Sequence, residues 1–331
     1  MERKLVTVRR IDSISPIEGA DAIECAQVGG WKVVVKKGEF VAGQLATYYE
    51  IDSWIPENIA PFLCKDKREF NGIPGARLRT IRLRGQVSQG LLLPIPAAFA
   101  TCVEGEDITE AIGVQKWEAP VSAQLSGQVR GNFPSFIKKT DQERIQNLKK
   151  ELAEWTDTAV WEVTEKLDGS SMTVYLRDGE FGVCSRNLDL KPDEKNSFWA
   201  MAVKLGMEDK MRELGANIAI QGELIGPGIQ GNKYNITEHQ FRVFDVFDID
   251  TFAYYDSMRR DEACVVLGLM HCPVLAEECV ITSNMDELLT MADGLSELND
   301  KANREGLVFK CVSNPDVSFK VISNKFLLAE K

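Results

Sequence analysis

The fold of the second half of this chain is decided by Trp161-Glu162-Val163-Thr164-Glu165-Lys166-Leu167-Asp168-Gly169-Ser170. The residues up to Lys166 alternate in the manner of a β-strand. Asp168-Gly169 then predicts a turn, and Met172 to Arg177 predicts the next strand. The pattern therefore places the Lys166 amine at the end of a strand, where the backbone fixes its position.

More motifs follow Lys166 in a fixed order over about 155 residues. They are Ser185-Arg186-Asn187, Gly222-Glu223-Leu224-Ile225-Gly226, Phe244-Asp245-Val246, Glu305-Gly306-Leu307-Val308-Phe309-Lys310 and Phe319-Lys320-Val321-Ile322. A lone Lys-x-Asp-Gly is usually a surface turn, and a lone strand glutamate is usually solvated. The ordered set is what departs from chance, and it resembles the motifs of covalent nucleotidyltransferases, which take AMP or GMP onto a lysine.

The residue types suit that chemistry. Lys166 would be the nucleophile, and a metal ion and a second lysine would have to lower its pKa because an ordinary lysine is protonated. Gly169 would let the backbone approach the nucleotide closely. Glu223 and Glu305 lie on separate predicted strands and would hold magnesium through water.

Other side chains would meet the nucleotide itself. Lys310 and Lys320 would neutralise phosphate oxygens. Phe244 would lie flat on the adenine, although an aromatic residue in an alternating strand is by default part of the core. Arg186 would reach a phosphate or a sugar.

The organisation along the chain indicates an α+β protein with two domains. Residues 1–116 contain several short predicted strands, which indicate a small barrel with the OB-fold as the obvious candidate. We expect a nucleic-acid-binding OB-fold domain over 1–116, a linker over 117–133 and, over 134–331, a mixed α/β nucleotidyltransferase domain built on antiparallel sheets. Helices are predicted at four places: from the capping box Thr140-Asp141-Gln142-Glu143 to about Glu154, and near Phe198–Leu214, Met258–Leu267 and Asp286–Ala292.

The charge is unevenly distributed. Residues 1–116 hold equal numbers of acidic and basic side chains, so the net charge of −11 belongs entirely to residues 117–331. Residues 65–84 nevertheless carry seven basic and two acidic side chains. A charge run is often only a solvated face, but a basic excess within an acidic chain favours contact with phosphates.

Membrane and secretory signals are lacking in the sequence. No apolar run reaches the ~18 residues of a spanning helix. The eight cysteines include no C-x-x-C pair, which fits free thiols in a reducing compartment. We therefore expect a cytoplasmic protein without membrane association.

Two other patterns lack the context that their usual functions require. Gly226-Pro227-Gly228-Ile229-Gln230-Gly231 fits the dinucleotide-binding fingerprint but leads into a loop-like segment and not into a helix. Cys264, His271, Cys272 and Cys279 lack the close pairs of a zinc site.

The order of the domains narrows the resemblance. DNA ligases and capping enzymes with these motifs mostly carry their OB domain after the catalytic domain, whereas here it comes first. This chain is similar to nick-sealing RNA ligases of the Deinococcus type over nearly its whole length. The resemblance is carried by the six motifs and by segments of the first domain, Pro16 to Asp21, Lys36 to Phe40, Tyr49 to Ser53 and Arg84 to Leu91.

The resemblance implies an ATP-dependent ligase that seals 3′-hydroxyl/5′-phosphate nicks in duplex RNA or an RNA/DNA hybrid, with RNA on the 3′-hydroxyl side. It implies a monomer that uses ATP and Mg²⁺ or Mn²⁺ and forms lysyl-AMP. The implied catalytic residues are Lys166, Asp168 and Lys320, and the implied metal residues are Glu223, Glu305 and Asp168. The implied nucleotide-binding residues are Glu165, Lys166, Gly169, Arg186, Glu223, Phe244, Lys310 and Lys320.

One departure and several alternatives stay open. Related RNA ligases often carry a second lysine two positions after Lys320, where this chain has Ile322. Lys139 and Arg144 are weaker candidates for the outer phosphates. A GTP-using guanylyltransferase or a DNA ligase of the same superfamily remains the alternative, and a non-catalytic nucleic-acid-binding protein is the third.

Overall fold

The computed structural model describes residues 3–119 and 123–330. These residues divide into two compact units. The first comprises the described parts of Met1–Ala119, Ile145–Glu151 and Leu327–Lys331, and the second those of Pro120–Arg144 and Leu152–Phe326.

The first unit is built from short strands. They are β1 (Val6–Arg10), β2 (Ser13–Pro16), β3 (Ile23–Val28), β4 (Trp31–Lys36), β5 (Leu45–Tyr49), β6 (Ser53–Pro56), β7 (Arg68–Phe70), β8 (Ile73–Arg77), β9 (Thr80–Leu83), β10 (Gln86–Gln89), β11 (Leu91–Leu93) and β12 (Gln115–Lys116). They form the sheets β1-β5-β11, β2-β3-β4, β9-β10 and β12-β6-β8-β7. Alternation explains their packing, since Trp31, Val33 and Val35 of β4 are buried and the residues between them are partly exposed.

The second unit is dominated by two mainly antiparallel sheets. Its strands are β13 (Val129–Asn132), β14 (Glu143–Arg144), β15 (Val160–Lys166), β16 (Ser170–Arg177), β17 (Glu180–Cys184), β18 (Leu188–Leu190), β19 (Ile218–Ile225), β20 (Gln240–Asp248), β21 (Ala253–Tyr254), β22 (Met270–His271), β23 (Val274–Val280), β24 (Leu295–Ser296), β25 (Asn299–Asn303), β26 (Gly306–Cys311) and β27 (Asn314–Ile322). One sheet has the order β13-β18-β17-β16-β19-β20-β21 with β22 beside β20, and the other has the order β14-β27-β26-β15-β23.

Helices and helical turns complete the chain. The α-helices are α1 (Ala123–Ser126), α2 (Lys149–Trp155), α3 (Ser197–Lys204), α4 (Met207–Leu214), α5 (Ser257–Leu267), α6 (Met285–Ala292) and α7 (Asn324–Ala329). The 3₁₀ turns are Pro61–Leu63, Ala97–Phe99, Ile145–Asn147 and Gln230–Asn232.

Strand β16 is buried on both faces from Met172 to Leu176. Met172, Val174 and Leu176 join a cluster that also includes residues of α3, α4 and α5. Tyr175 points to the other face and packs with Ala219 and Phe247. The turn after Lys166 leads from β15 into this buried strand.

The helix predicted from the capping box begins later than expected. Glu143 and Arg144 pair in parallel with Phe319 and Lys320 of β27, and helix α2 begins only at Lys149. The strand partner lies far away in the sequence, so the local helix signal is overridden by tertiary pairing. The stretch predicted as a linker holds α1 and β13, and its residues 120–122 lie outside the described part.

All eight cysteines lie in the described part of the chain, and none of them forms a disulfide bond. Within the same residues, no helix is long and apolar enough to cross a membrane.

Candidate active site

Lys166 is the last residue of β15 and lies beside the start of the neighbouring strand β26. Its backbone lies opposite Gly306, the first residue of β26. A Cβ on Gly306 would come within 2.2 Å of the Val321 carbonyl oxygen, so only glycine allows the close strand contact there. Glu305, directly before it, is thereby brought to the lysine, and Lys166 Nζ donates a hydrogen bond to Glu305 Oε2 at 2.8 Å.

Packing requires a glycine at position 169, in addition to any need for a nucleotide to approach the backbone there. A Cβ at Gly169 would lie 2.5 Å from the Leu224 carbonyl oxygen and 2.8 Å from Glu223 Cγ. The turn after Lys166 therefore lies against β19, and Glu223 of that strand is held next to it. The turn thus brings Lys166, Glu223 and Glu305 together from β15, β19 and the start of β26.

The electrostatics of this cluster are set by burial and by an excess of carboxylates. Burial raises the pKa of Glu223 to about 8 and also raises the pKa of Glu305. Burial alone would lower the pKa of Lys166, but the charges of Glu305 and Glu223 outweigh it and the lysine pKa is raised. The protein's own side chains therefore favour the protonated amine, and the lowering of its pKa by a metal ion stays a prediction.

Such a cluster suits a divalent cation held partly by other ligands. Within residues 3–119 and 123–330, no group of three or more His, Cys, Asp or Glu side chains is placed to hold an ion by itself. Carboxylates that bind magnesium through water and substrate phosphates need no such cage. Glu223 and Glu305 fit this kind of cation, because a divalent ion beside them would offset the burial that raises their pKa values and would favour their charged forms.

Asp168 is held by two residues that the sequence did not single out. Lys233 forms an ion pair with Asp168 Oδ2, and the Asp168 backbone N–H donates to Tyr234 Oη at 2.5 Å. Both partners follow the glycine-rich segment from Gly226 to Gly231, which does not lead into a helix as a dinucleotide fingerprint would. Their proximity to Asp168 arises from tertiary folding, and only the glycines before them signalled an unusual loop.

Arg186 and its neighbours lie at a more exposed edge. Arg186 Nη2 contacts Asp141 Oδ1 at 2.5 Å, with 44% of each side chain exposed. Lys139 Nζ donates to Asn187 Oδ1 at 3.3 Å. Arg144, in contrast, is buried. Arg186 and Lys139 are thus near each other in the fold through Asn187, and both remain accessible to an anionic ligand.

Lys310 is buried and makes its polar contacts within the protein. Its Nζ lies 2.6 Å from Asp245 Oδ1, also donates to the Phe244 carbonyl oxygen, and only 5% of either charged side chain is exposed. The same ammonium lies 5.9 Å from the centre of the Phe244 ring. Lys310 therefore joins the two sheets beneath Phe244, which is itself only partly buried.

Glu165 and Lys320 are placed on strands that flank the cluster. Glu165 is buried, accepts a hydrogen bond from the Glu297 backbone N–H at 2.8 Å, and has one carboxylate oxygen without a hydrogen-bond partner. Burial raises its pKa. Lys320 on β27 pairs with Val308 on β26, and its charge acts on Glu305.

Comparison with known proteins identifies the family. The profile of the RNA ligase family matches residues 159–322, and an OB-fold domain profile matches residues 5–95. The structure of an RNA ligase variant from Naegleria gruberi with ATP and manganese is 44% identical, with a TM-score of 0.94 and 99% of each chain covered. The chain belongs to the RNA ligase family. The predicted family, fold class and enzyme class are therefore confirmed.

Other solved RNA ligase structures agree. A Naegleria gruberi RNA ligase variant with AMP and manganese is 44% identical, with a TM-score of 0.95 and 99% of each chain covered. The same ligase with pyrophosphate is 44% identical, with a TM-score of 0.94 and 98% of each chain covered. No curated protein sequence matches this RNA ligase.

Proposed function

We propose that this protein is an ATP-dependent RNA ligase that seals nicks through a lysyl-AMP intermediate on Lys166. The observation that carries the proposal is the placement of the Lys166 amine at a strand end, hydrogen-bonded to Glu305 and beside Glu223. The Naegleria ligases with ATP, AMP and manganese support the choice of nucleotide and cation.

The first step would be attack of Lys166 Nζ on the α-phosphate of ATP with release of pyrophosphate. The amine must lose a proton before or during the attack, and Glu305 accepts its hydrogen bond. Burial raises the pKa of Glu305, which makes it a suitable proton acceptor. AMP would then pass to a 5′-phosphate, and a 3′-hydroxyl would displace it.

The roles of the surrounding residues follow from their positions. Mg²⁺ or Mn²⁺ near Glu223, Glu305 and Asp168 would offset carboxylate charge and polarise the phosphate. Phe244 would stack on the adenine, and the unpaired oxygen of Glu165 could accept from the base. Arg186 would contact a phosphate or sugar and Lys320 a phosphate.

We assign Lys310 a second role besides any contact with the nucleotide. Its ion pair with Asp245 fixes the backbone that carries Phe244, because the same ammonium binds the Phe244 carbonyl. The lysine would therefore support the adenine-stacking ring from below.

The first unit offers a surface for the nucleic acid. Arg82 and Arg84 are exposed on the β9–β10 hairpin, whose turn is formed by Arg84 and Gly85 with positive φ angles of 47° and 84°. Arg77, in contrast, is occupied by Asp52 at 2.7 Å. Within the described residues, Arg82 and Arg84 form no ion pair, so their charge remains available to phosphates.

We therefore propose a nicked or bridged duplex with RNA on the 3′-hydroxyl side as the substrate, bound by a monomer. A protein can distinguish RNA at the break by the 2′-hydroxyl or by the A-form minor groove. The proposed cytoplasmic location rests on the free cysteines.

The testing experiment offers the enzyme nicked duplexes in which either strand at the break is RNA or DNA. We expect sealing when the 3′-hydroxyl strand ends in ribonucleotides, and no sealing by Lys166→Ala. Equal sealing of an all-DNA nick would favour a DNA ligase. Labelling by GTP in preference to ATP would favour a guanylyltransferase.

A further inference from the structure

The loop between β19 and β20 contacts the catalytic turn at several points. Tyr234 Oη accepts a hydrogen bond from the Asp168 backbone N–H at 2.5 Å, and Lys233 forms an ion pair with Asp168 Oδ2. Gln230 Nε2 approaches the Gly169 carbonyl oxygen at 3.5 Å. Adjacent residues of one loop therefore hold both the backbone and the side chain of Asp168.

The loop is itself held in place. The Lys233 ammonium lies 3.9 Å from the centre of the Phe326 ring, and the Lys233 carbonyl oxygen accepts a hydrogen bond from Asn299 Nδ2 at 2.8 Å. Tyr234 is buried and packs in a cluster with Leu167, the residue before Asp168. A lysine fixed by an aromatic ring and by its own backbone presents its charge in one direction.

We propose that Lys233 and Tyr234 are positioning residues that act through Asp168 in the ligase reaction. This inference rests on the proposed function of the Lys166 site. Lys233 holds Oδ2 of Asp168, and within the described residues Oδ1 makes no hydrogen bond. Oδ1 is thus the oxygen that Asp168 presents to the nucleotide or to cation-bound water. Tyr234 sets the backbone of the turn from which Lys166 and Asp168 both extend.

Loss of Lys233 should free the Asp168 side chain to rotate towards the cluster of Lys166, Glu223 and Glu305. Residues that orient a metal-site carboxylate typically change affinity or rate by about 10- to 100-fold when removed.

The experiment measures single-turnover formation of the protein–AMP adduct across ATP and manganese concentrations. We expect Lys233→Ala to slow adduct formation at saturating ATP by about tenfold, with Lys233→Arg restoring most of the rate. Tyr234→Phe should slow it while preserving the packing against Leu167. Arg212→Ala is the control, because Arg212 forms an exposed ion pair with Glu208 within helix α4 of the same unit.

A double-mutant cycle decides whether Lys233 acts through Asp168. If it does, adding Lys233→Ala to Asp168→Asn changes nothing further. An equal loss in both backgrounds would mean that Lys233 contacts the substrate directly and would overturn the inference. If Asp168→Asn forms adduct too slowly to time, the cycle is read from equilibrium binding of ATP with manganese.

The outcomes separate this inference from the proposed function. A wild-type protein that forms no adduct would overturn the function assigned to Lys166. An active wild type with a fully active Lys233→Ala variant would overturn only the positioning role. A variant that is slow but not rescued by arginine and also has a lowered melting temperature would indicate a structural role instead.

Discussion

Replacing Lys310 by methionine should destabilise the second unit strongly, because it leaves Asp245 charged and buried without its partner. Lys310 Nζ lies 2.6 Å from Asp245 Oδ1, and each side chain is 5% exposed. Breaking a buried ion pair from one side costs about 3–5 kcal/mol. For a unit of this size, each kcal/mol lowers the melting temperature by roughly 2–4 °C, so a fall of about 6–20 °C is expected.

The assay compares thermal unfolding of Lys310→Met, Asp245→Asn and the double variant. The double variant should recover most of the lost stability, since no uncompensated charge remains. Lys204→Ala serves as the control, because its exposed ion pair is worth at most about 1 kcal/mol. A Lys310→Met protein that melts like the wild type, yet forms no adduct, would refute the structural role and restore the lysine as a phosphate ligand alone.

Three further outcomes are expected. Gly169→Ala should abolish most adduct formation, because its Cβ would lie 2.5 Å from the Leu224 carbonyl oxygen; a normal adduct yield would contradict the packing of the turn. Because the pKa of Glu223 is raised to about 8, the native protein keeps a proton that the unfolded chain loses above its ordinary value of 4.5. This contribution to stability is present below 4.5 and is lost as the pH rises through about 8, so Glu223→Gln should flatten the fall in melting temperature between about pH 5 and pH 8, and an unchanged slope would count against it. Arg82→Ala with Arg84→Ala should leave adduct formation intact but weaken nicked-duplex binding and reduce its dependence on salt; unchanged binding at physiological salt would exclude the hairpin from the interface.

Individual strands and helices of the second unit could be predicted, because the residue patterns that indicate them lie within each element. Strand β15 ends at Lys166 as the alternation indicates. Helix α5 begins at Ser257, one residue before the predicted start, because the Asp256 side chain accepts from the Arg259 backbone N–H at 2.8 Å. Capping and alternation depend on neighbouring residues only, so the sequence displays them directly.

The contacts that tune the site could not be predicted in this way. Lys233 and Asp168 are 65 residues apart, and so are Lys310 and Asp245. Each pair meets only when separate strands and loops are assembled. The helix predicted from the capping box at Thr140 was wrong at its start for the same reason. Glu143 and Arg144 pair instead with β27, a strand that is distant in the sequence.

The most direct test of the account is whether AMP becomes attached to Lys166. The protein is incubated with manganese and ATP labelled either at the α- or at the γ-phosphate, and labelled peptides are identified by mass spectrometry. The account predicts α-label on the peptide that contains Lys166, no γ-label, and no label in Lys166→Ala, while Lys204→Ala labels normally. Label that persists in Lys166→Ala, or that resides on another residue, would contradict it.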